Sequence, residues 1–336
     1  MLEPAVEPMD RIEFTPGDLW ASHPPQISHP NKQALLDLAC PPGAVQLGRV
    51  GYTRWPAQSV PPHGLGRLDE LVRVAQGFFD YLPVLHDPDA VEWHVNFADP
   101  ELFMGYGSGL FAQDEIQVAE HPALAAVREA VLALGGRPRT VGNNGPTPVL
   151  VAGVERRLEI DTGPNAAAGR PGGLYGTAFG WAAPSTVLAA ARRLEPPTIS
   201  NILAITALRG GPGAYRLDEL RRTLHTAYSG FRVATVESAR LLGPGRVPRV
   251  VVHTGHWGCG AFGGNRVLMA ALQVAAAGLA GVERLVYHVG GRGGEAPVGE
   301  ALALVGSLDW DAEQGTEAAL AAIAARCYRW GLSDGN

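Results

Sequence analysis

From Val91 onward the chain repeats one pattern: a short run of apolar and β-branched residues, a turn, then a stretch with helical spacing of its apolar positions. The runs are WHVNFA (93–98), PVLVAG (148–153), NILAITAL (201–208), RVVVHTG (249–255) and RLVYHVG (284–290). Intervening stretches at 116–134, 185–194, 216–228 and 266–280, and a last one near 313–330, predict helices. Such alternation predicts an α/β chain folded as a three-layer α/β/α sandwich, with ligands gathering at the carboxyl ends of the strands.

The first 90 residues differ. They are rich in proline, with helical patterns at 32–39 and 68–81 punctuated by Pro61, Pro62, Pro83 and Pro88. The expected division is a helical, proline-rich accessory segment over 1–90, with a role in covering one sheet edge, and a catalytic domain over 91–336. With 336 residues, 46% hydrophobic and 18% charged, the chain can bury a sizeable core. Its net charge of −6 argues against broad electrostatic binding to nucleic acid or anionic membrane, so an anionic ligand needs local donors. The N-terminus has early acids and prolines and reads as no secretory leader. The longest uncharged apolar stretch, 267–282, falls short of the ~20 residues that cross a bilayer and reads as a buried helix. Three widely separated cysteines, Cys40, Cys259 and Cys327, suit a reducing cytoplasm.

Two stretches carry chemistry. In VVHTGHWGCGAFGGN (251–265) an apolar run leads through Gly258, Gly260 and Gly263 into a helical segment. Glycines after a strand let the backbone approach a diphosphate, and the following helix N-terminus supplies N–H donors and a positive dipole end. The spacing GxGxxG also fits a nicotinamide dehydrogenase, with Glu283 as its ribose-binding acid, or a packed glycine turn. His253, His256 and Cys259 stand three residues apart, but no fourth ligand accompanies them, so no metal is expected.

The second stretch, 96–122, runs from Asn96 and Asp99 past Gly105, Gly107 and Gly109 to Gln113-Asp114-Glu115 at a helix start. Acids there favour the helix dipole, a structural role. Two adjacent acids beside a glycine loop also suit a glycosidase, in which one carboxylate raises the proton affinity of the other. Two further stretches are less specific. In GGLYGTAFGW (172–181), Tyr175 is expected to be exposed for stacking, whereas LHTAYSGF (224–231) reads as packing with Gly230 ending a helix.

TGHWGCGAFGG (254–264), the preceding LHTAYSGF, ILAITAL (202–208) and NFAD…GYGSGLFAQDEI (96–116) together resemble, in order and spacing, the poly(ADP-ribose) glycohydrolase family, whose catalytic domain is a macrodomain. The resemblance covers about residues 90–295. It implies a macrodomain-like sandwich with a mixed central sheet and a deep ADP-ribose cleft, without metal, cofactor or redox chemistry. It places the essential acid/base on Glu115, with Asp114 beside it. It places substrate binding on Gln113, Asn96, Asp99, Gly105, Gly107, Tyr175, His256, Gly258, Gly260, Ala261, Phe262 and Gly263. Four departures stand out: FMGYG replaces three consecutive glycines, Asp114 shortens the first acid, Asp99 takes the place of an asparagine, and so does His256.

The implied activity is cleavage of the ribosyl O-glycosidic bond of ADP-ribose units in polymer or modified protein. The expected partner is an ADP-ribose-containing substrate, with neither nucleic acid nor membrane. Two alternatives remain open: an N- or O-ribosyl hydrolase acting on a small dinucleotide-derived metabolite, and a reader that binds ADP-ribose without cleaving it.

Overall fold

The structure, a computed structural model, describes residues 6–44, 47–66, 68–291 and 293–335. The first five residues, at the head of the stretch read as lacking a leader, lie outside them. In chain order the strands are β1 (Asp10–Phe14), β2 (Val50–Arg54), β3 (Val72–Ala75), β4 (Ala90–Phe97), the short pair β5 (Val141–Gly142) and β6 (Gly145–Pro146), β7 (Val149–Ile160), β8 (Ala191–Ile205), β9 (Arg249–Thr254) and β10 (Arg284–His288). The helices are α1 (Pro16–Ser22), α2 (Pro30–Ala39), α3 (Gln113–Glu120), α4 (Ala123–Ala133), α5 (Ala178–Trp181), α6 (Pro184–Ala189), α7 (Leu217–Leu242), α8 (Arg266–Ala280), α9 (Glu295–Gly306) and α10 (Gly315–Ala325).

One mixed sheet runs in the order β1-β2-β7-β8-β4-β9-β10-β3. The half from β8 through β4, β9 and β10 to β3 is parallel, and β1, β2, β7 and β8 pair antiparallel. Because side chains alternate along a strand, neighbours on β8 enter opposite layers. Leu203 and Ile205 pack with Trp93, Val95, Val252 and helices α7 to α10, whereas Ile202 and Ala204 pack with Val149, Val151 and helices α1 and α4. A smaller core joins α2, α5 and α6 through Leu35, Phe111, Leu158, Phe179 and Val187. These layers make the three-layer sandwich. Among the described residues no helix is long and apolar enough to cross a membrane, and no disulfide joins the three cysteines.

The five expected strands and the helices α2 and α8 form close to the predicted positions. For α8 the punctuation is local: Asn265 Oδ1 accepts the Leu268 amide at 3.1 Å, and Gly281 takes a left-handed φ of 70° at the C-cap.

Elsewhere tertiary contacts override the sequence pattern. The first 90 residues supply strands at both edges of the same sheet, β1 and β2 at one and β3 at the other, so they are not a helical appendage. The 68–81 stretch forms β3 against β10 instead of a helix, its register running from Val72 opposite Leu285 to Ala75 opposite His288. The helix expected over 116–134 breaks at His121, whose φ and ψ of −123° and 73° leave the helical region just before Pro122. At 185–194 the helix stops after Ala189 and β8 begins at Ala191, paired with Ile160 of β7. Gly230 does not end a helix. It lies inside the 26-residue α7, where an added Cβ would stand 2.8 Å from Ile205 Cγ2, so glycine there lets the helix approach the sheet.

Candidate active site

Both sequence stretches come to the carboxyl ends of the parallel strands. At the end of β4, Gln113 docks α3 onto the strand: its Oε1 accepts the Phe97 amide at 2.7 Å and its Nε2 donates to Val95 O at 3.1 Å. Both ends of that amide are thereby committed to positioning the next two residues. Asp114 and Glu115 are 6% and 5% exposed, which separates them from ordinary acids at a helix start. Asn96 Nδ2 donates to Asp114 Oδ1 at 3.0 Å, and Glu115 Oε2 accepts the Ala112 amide at 3.0 Å. This last bond is half of a capping box, the side chain at the third helical position reaching back to the cap amide; Ala112 has no oxygen to return it.

Burial drives the proton affinity of both carboxyls up from the ordinary range, and for Asp114 the nearby Glu115 charge adds to it. The Asn96 bond and a lysine charge oppose the shift without cancelling it. Asp99 lies close enough to raise both acids, while its own Oδ1 accepts the Glu101 amide at 3.0 Å in a local turn. Gly105 closes the acid site from the loop side. A Cβ there would run into Glu115 Oε1, so the backbone of the glycine loop lies directly against the carboxyl.

The second loop leaves β9 at Thr254. Trp257, fully buried, donates its Nε1 to Ile205 O at 3.1 Å and pins the loop to the end of β8. Gly258 has φ of 72°, and an added Cβ would stand 2.5 Å from the Ala207 Cβ, so only glycine fits. The amides of Cys259, Gly263 and Gly264 bond to His256 O, Gly260 O and Gly258 O at 3.0, 2.9 and 2.8 Å. Among the described residues the amides of Gly258, Gly260, Ala261 and Phe262 make no hydrogen bond within the chain. At the α8 N-terminus the Asn265 side chain takes up one amide, that of Leu268, and the helix start stands beside the loop amides.

Tyr175 lies against the second loop. It is 41% exposed, and its hydroxyl lies 3.7 Å from where a Gly260 Cβ would stand. Burial of its ring edge and the charges of Asp334 and Glu115 push its hydroxyl up to about 12. Phe179, in the same loop, is buried in a stack on Phe111 with ring centroids 4.0 Å apart. His256 sits at the mouth of β9 with Nδ1 3.3 Å from the Tyr287 hydroxyl, and burial lowers its proton affinity. It does not converge on a metal with its neighbours. His253 turns beneath the sheet to Glu92 Oε2 at 2.7 Å and His288 Nε2 at 3.1 Å, and Cys259 Sγ faces Trp257 O. Among the described residues no three His, Cys, Asp or Glu side chains are grouped to hold a metal.

Two residues at this site escaped the sequence reading. Asp334, on the C-terminal segment, lies over the second loop: a Gly260 Cβ would be 2.9 Å from its Oδ2. The segment is held there by Gly331 N donating to Gly263 O at 2.7 Å and by Trp330 stacked on Tyr215 at 3.8 Å. Lys32, on α2, is 3% exposed and donates its Nζ to Tyr106 O at 2.9 Å. One signal for it was present: Lys32 is the single lysine of the chain.

Residues 173–293 match the family described as "Poly (ADP-ribose) glycohydrolase (PARG), Macro domain fold". That segment contains Tyr175, His256 and the 258–264 loop, whereas Asn96, Asp114 and Glu115 precede it. Solved structures similar to the chain include poly(ADP-ribose) glycohydrolase from Thermomonospora curvata bound to the inhibitor ADP-HPD, at 19% identity over 81% of this chain and 96% of that one, with a TM-score of 0.43. Another is the enzyme from Deinococcus radiodurans in complex with ADP-ribose, at 14% identity over 88% and 93%, with a TM-score of 0.37. The matched segment, residues 173–293, runs from the tyrosine loop past the second glycine loop to just beyond the end of β10, and over it the chain is similar to the poly(ADP-ribose) glycohydrolase family of macro domain fold.

Proposed function

We propose that the protein hydrolyses the ribosyl O-glycosidic bond of ADP-ribose units, with Glu115 as acid and then base. The observation that carries the reading is the buried Asp114–Glu115 pair, with Glu115 held against Gly105. A glycosidic bond needs a proton on its leaving oxygen, and two adjacent buried carboxyls retain one near neutral pH. Glu115 passes that proton to the departing oxygen as the C1″–O bond breaks, leaving an oxocarbenium-like ribose. Water then attacks C1″, and the Glu115 carboxylate takes a proton from it, restoring the acid with one water consumed. Asp114, fixed by Asn96, keeps the proton affinity of the pair high and is placed to meet a ribose hydroxyl.

The unbonded amides of Gly258, Gly260, Ala261 and Phe262 support a diphosphate seat in a chain of net charge −6. Tyr175, against the second loop, supplies the exposed ring for stacking, and His256 and Asp99 line the approaches. Incubation with poly(ADP-ribosyl)ated protein, mono(ADP-ribosyl)ated protein and NAD, with products identified by mass, tests the reading. Free ADP-ribose released from polymer is the expected product. Release from NAD alone, or tight binding of ADP-ribose with no product from any of the three, contradicts it.

A further inference from the structure

The N-terminal 90 residues were expected to be an accessory, yet one short piece of them builds the acid loop. Over residues 26–32 the backbone and side chains grip Tyr106 and Gly107 from outside. Gln26 N donates to the Tyr106 hydroxyl at 2.6 Å, Ser28 N and His29 N both donate to Gly107 O at 3.0 Å, and Ser28 Oγ adds a bond to the same oxygen at 2.8 Å. The approach is so close that a Cβ on Gly107 would stand 2.5 Å from Gln26 O. Tyr106 is anchored further by its hydroxyl donating to Glu129 Oε1 at 2.8 Å. The looser FMGYG loop is thus stiffened by contacts from another part of the chain.

Lys32 completes that grip. Its Nζ bonds Tyr106 O and lies 5.2 Å from the Phe111 ring and 5.6 Å from the Phe179 ring, while Asn31 Nδ2 fixes the Phe179 and Ala182 carbonyls at 2.8 and 2.9 Å. A lysine buried this deeply is otherwise costly, since desolvation disfavours the ammonium. Compensation comes from Glu115 first and Asp114 second, and the net result is a lysine lowered to about 8. The charged and titratable groups around it are Glu115 and Asp114 on α3, Asp99 behind them, Tyr106 on the loop it holds, and His29 against Phe179.

We propose that Lys32 is a positioning residue for the acid/base step: it fixes the loop that lies against Glu115 and sets a buried positive charge beside the carboxyl pair. The inference rests on the reading of Glu115 as the acid. The charge limits how far burial raises Glu115, so that the carboxyl can give up its proton and later recover one.

Because the chain has a single lysine, ¹⁵N-lysine labelling gives one side-chain signal whose titration reports Lys32 alone. Glu115→Gln, an isosteric change, removes the charge that favours the ammonium and is expected to move that midpoint down by about one unit. A midpoint that does not move overturns the proposal, and no substrate is needed to see it. Conversely, Lys32→Met raises the carboxyl, so the alkaline limb of turnover, where the acid loses its proton, moves to higher pH. Lys32→Arg keeps the charge and leaves the limb near its wild-type place. A merely structural lysine would lower turnover in Lys32→Met without moving the limb, which also overturns the proposal. If the wild type releases nothing from polymer, the functional reading fails while the lysine titration still decides the pairing. If Lys32→Met does not fold, the Glu115→Gln titration decides alone.

Discussion

The two glycine loops of the site, both tied to distant segments, differ in what ties them and in what they offer. Around Gly105 and Gly107 the backbone is clamped by side chains and by a distant segment, and the functional groups beside it, Asp114 and Glu115, are buried carboxyls. From 258 to 264 the loop is held by main-chain bonds, its own and those from Gly210 N to Phe262 O and Gly331 N to Gly263 O, and by Trp257 below, and what it offers is peptide N–H. Under the proposed function the difference separates two tasks. Proton transfer needs one atom held to a fraction of an ångström with a shifted proton affinity, whereas an anion needs several weak donors pointing to one place.

This contrast is breakable. Gly105→Ala places a Cβ into Glu115 Oε1, the movable end of a side chain, so the fold survives and the carboxyl shifts. Turnover should fall on the order of 10²-fold, the cost of a misplaced catalytic group, with ADP-ribose affinity changed only slightly in calorimetry. Loss of both together would mean that the two loops are not separate in task. Gly260→Val should do the reverse. Its backbone is not left-handed, so the added bulk strains no φ and meets the movable end of the Asp334 side chain, and ADP-ribose affinity should weaken by about tenfold or more. Unchanged affinity would remove the diphosphate from this loop.

Asp334 sharpens the comparison at smaller cost. Its carboxylate stands beside the donors an anion would use, so Asp334→Asn should tighten ADP-ribose binding by up to about fivefold, the scale of an exposed charge pair. Weaker binding would instead make Asp334 an acceptor for a ligand hydroxyl.

The smallest effect at neutral pH concerns three buried histidines, His94 on β4, His288 on β10 and His121 at the end of α3. His94, His288 and His121 are held neutral by burial, His288 at about 4 and His121 at about 3, with His253 stacked on His94 and the charges of Arg156, Asp80 and Arg73 nearby. Their folded affinities lie below the unfolded value of about 6.5. The stability they confer is therefore complete above that pH and is lost as the pH falls towards 4, because the unfolded chain takes up protons that the folded chain refuses. Because the raised Asp114 and Glu115 titrate in the opposite sense, the histidine contribution is read as the Tm of the wild type minus that of His121→Gln, which should be constant from pH 8 to 7 and decline from about 6.5 to 4; a difference that rises over the lower window would refute the assignment.

How much of this the sequence disclosed follows from the range of the interactions. The α8 boundaries were legible because Asn265 and Gly281 act within one turn, and the acid pair and second glycine loop because each is a contiguous string. Gly230 was misread as a stop because its reason, the closeness of Ile205 on β8, lies in the sheet. The 68–81 stretch became an edge strand only because β10 offered it a partner. Lys32 and Asp334 were illegible as site residues, since the first acts on Tyr106 from 74 positions away and the second on Gly260 from the end of the described chain. Only the singularity of the lysine hinted at a special environment.

The central claim is that Glu115 moves the proton while the 258–264 loop binds. Single-turnover release of ADP-ribose from polymer by wild type and Glu115→Gln, with ADP-ribose affinity measured on the same samples, tests both halves together. The account predicts release slowed by about 10²–10⁴-fold with affinity nearly unchanged. Wild-type release by Glu115→Gln would contradict it.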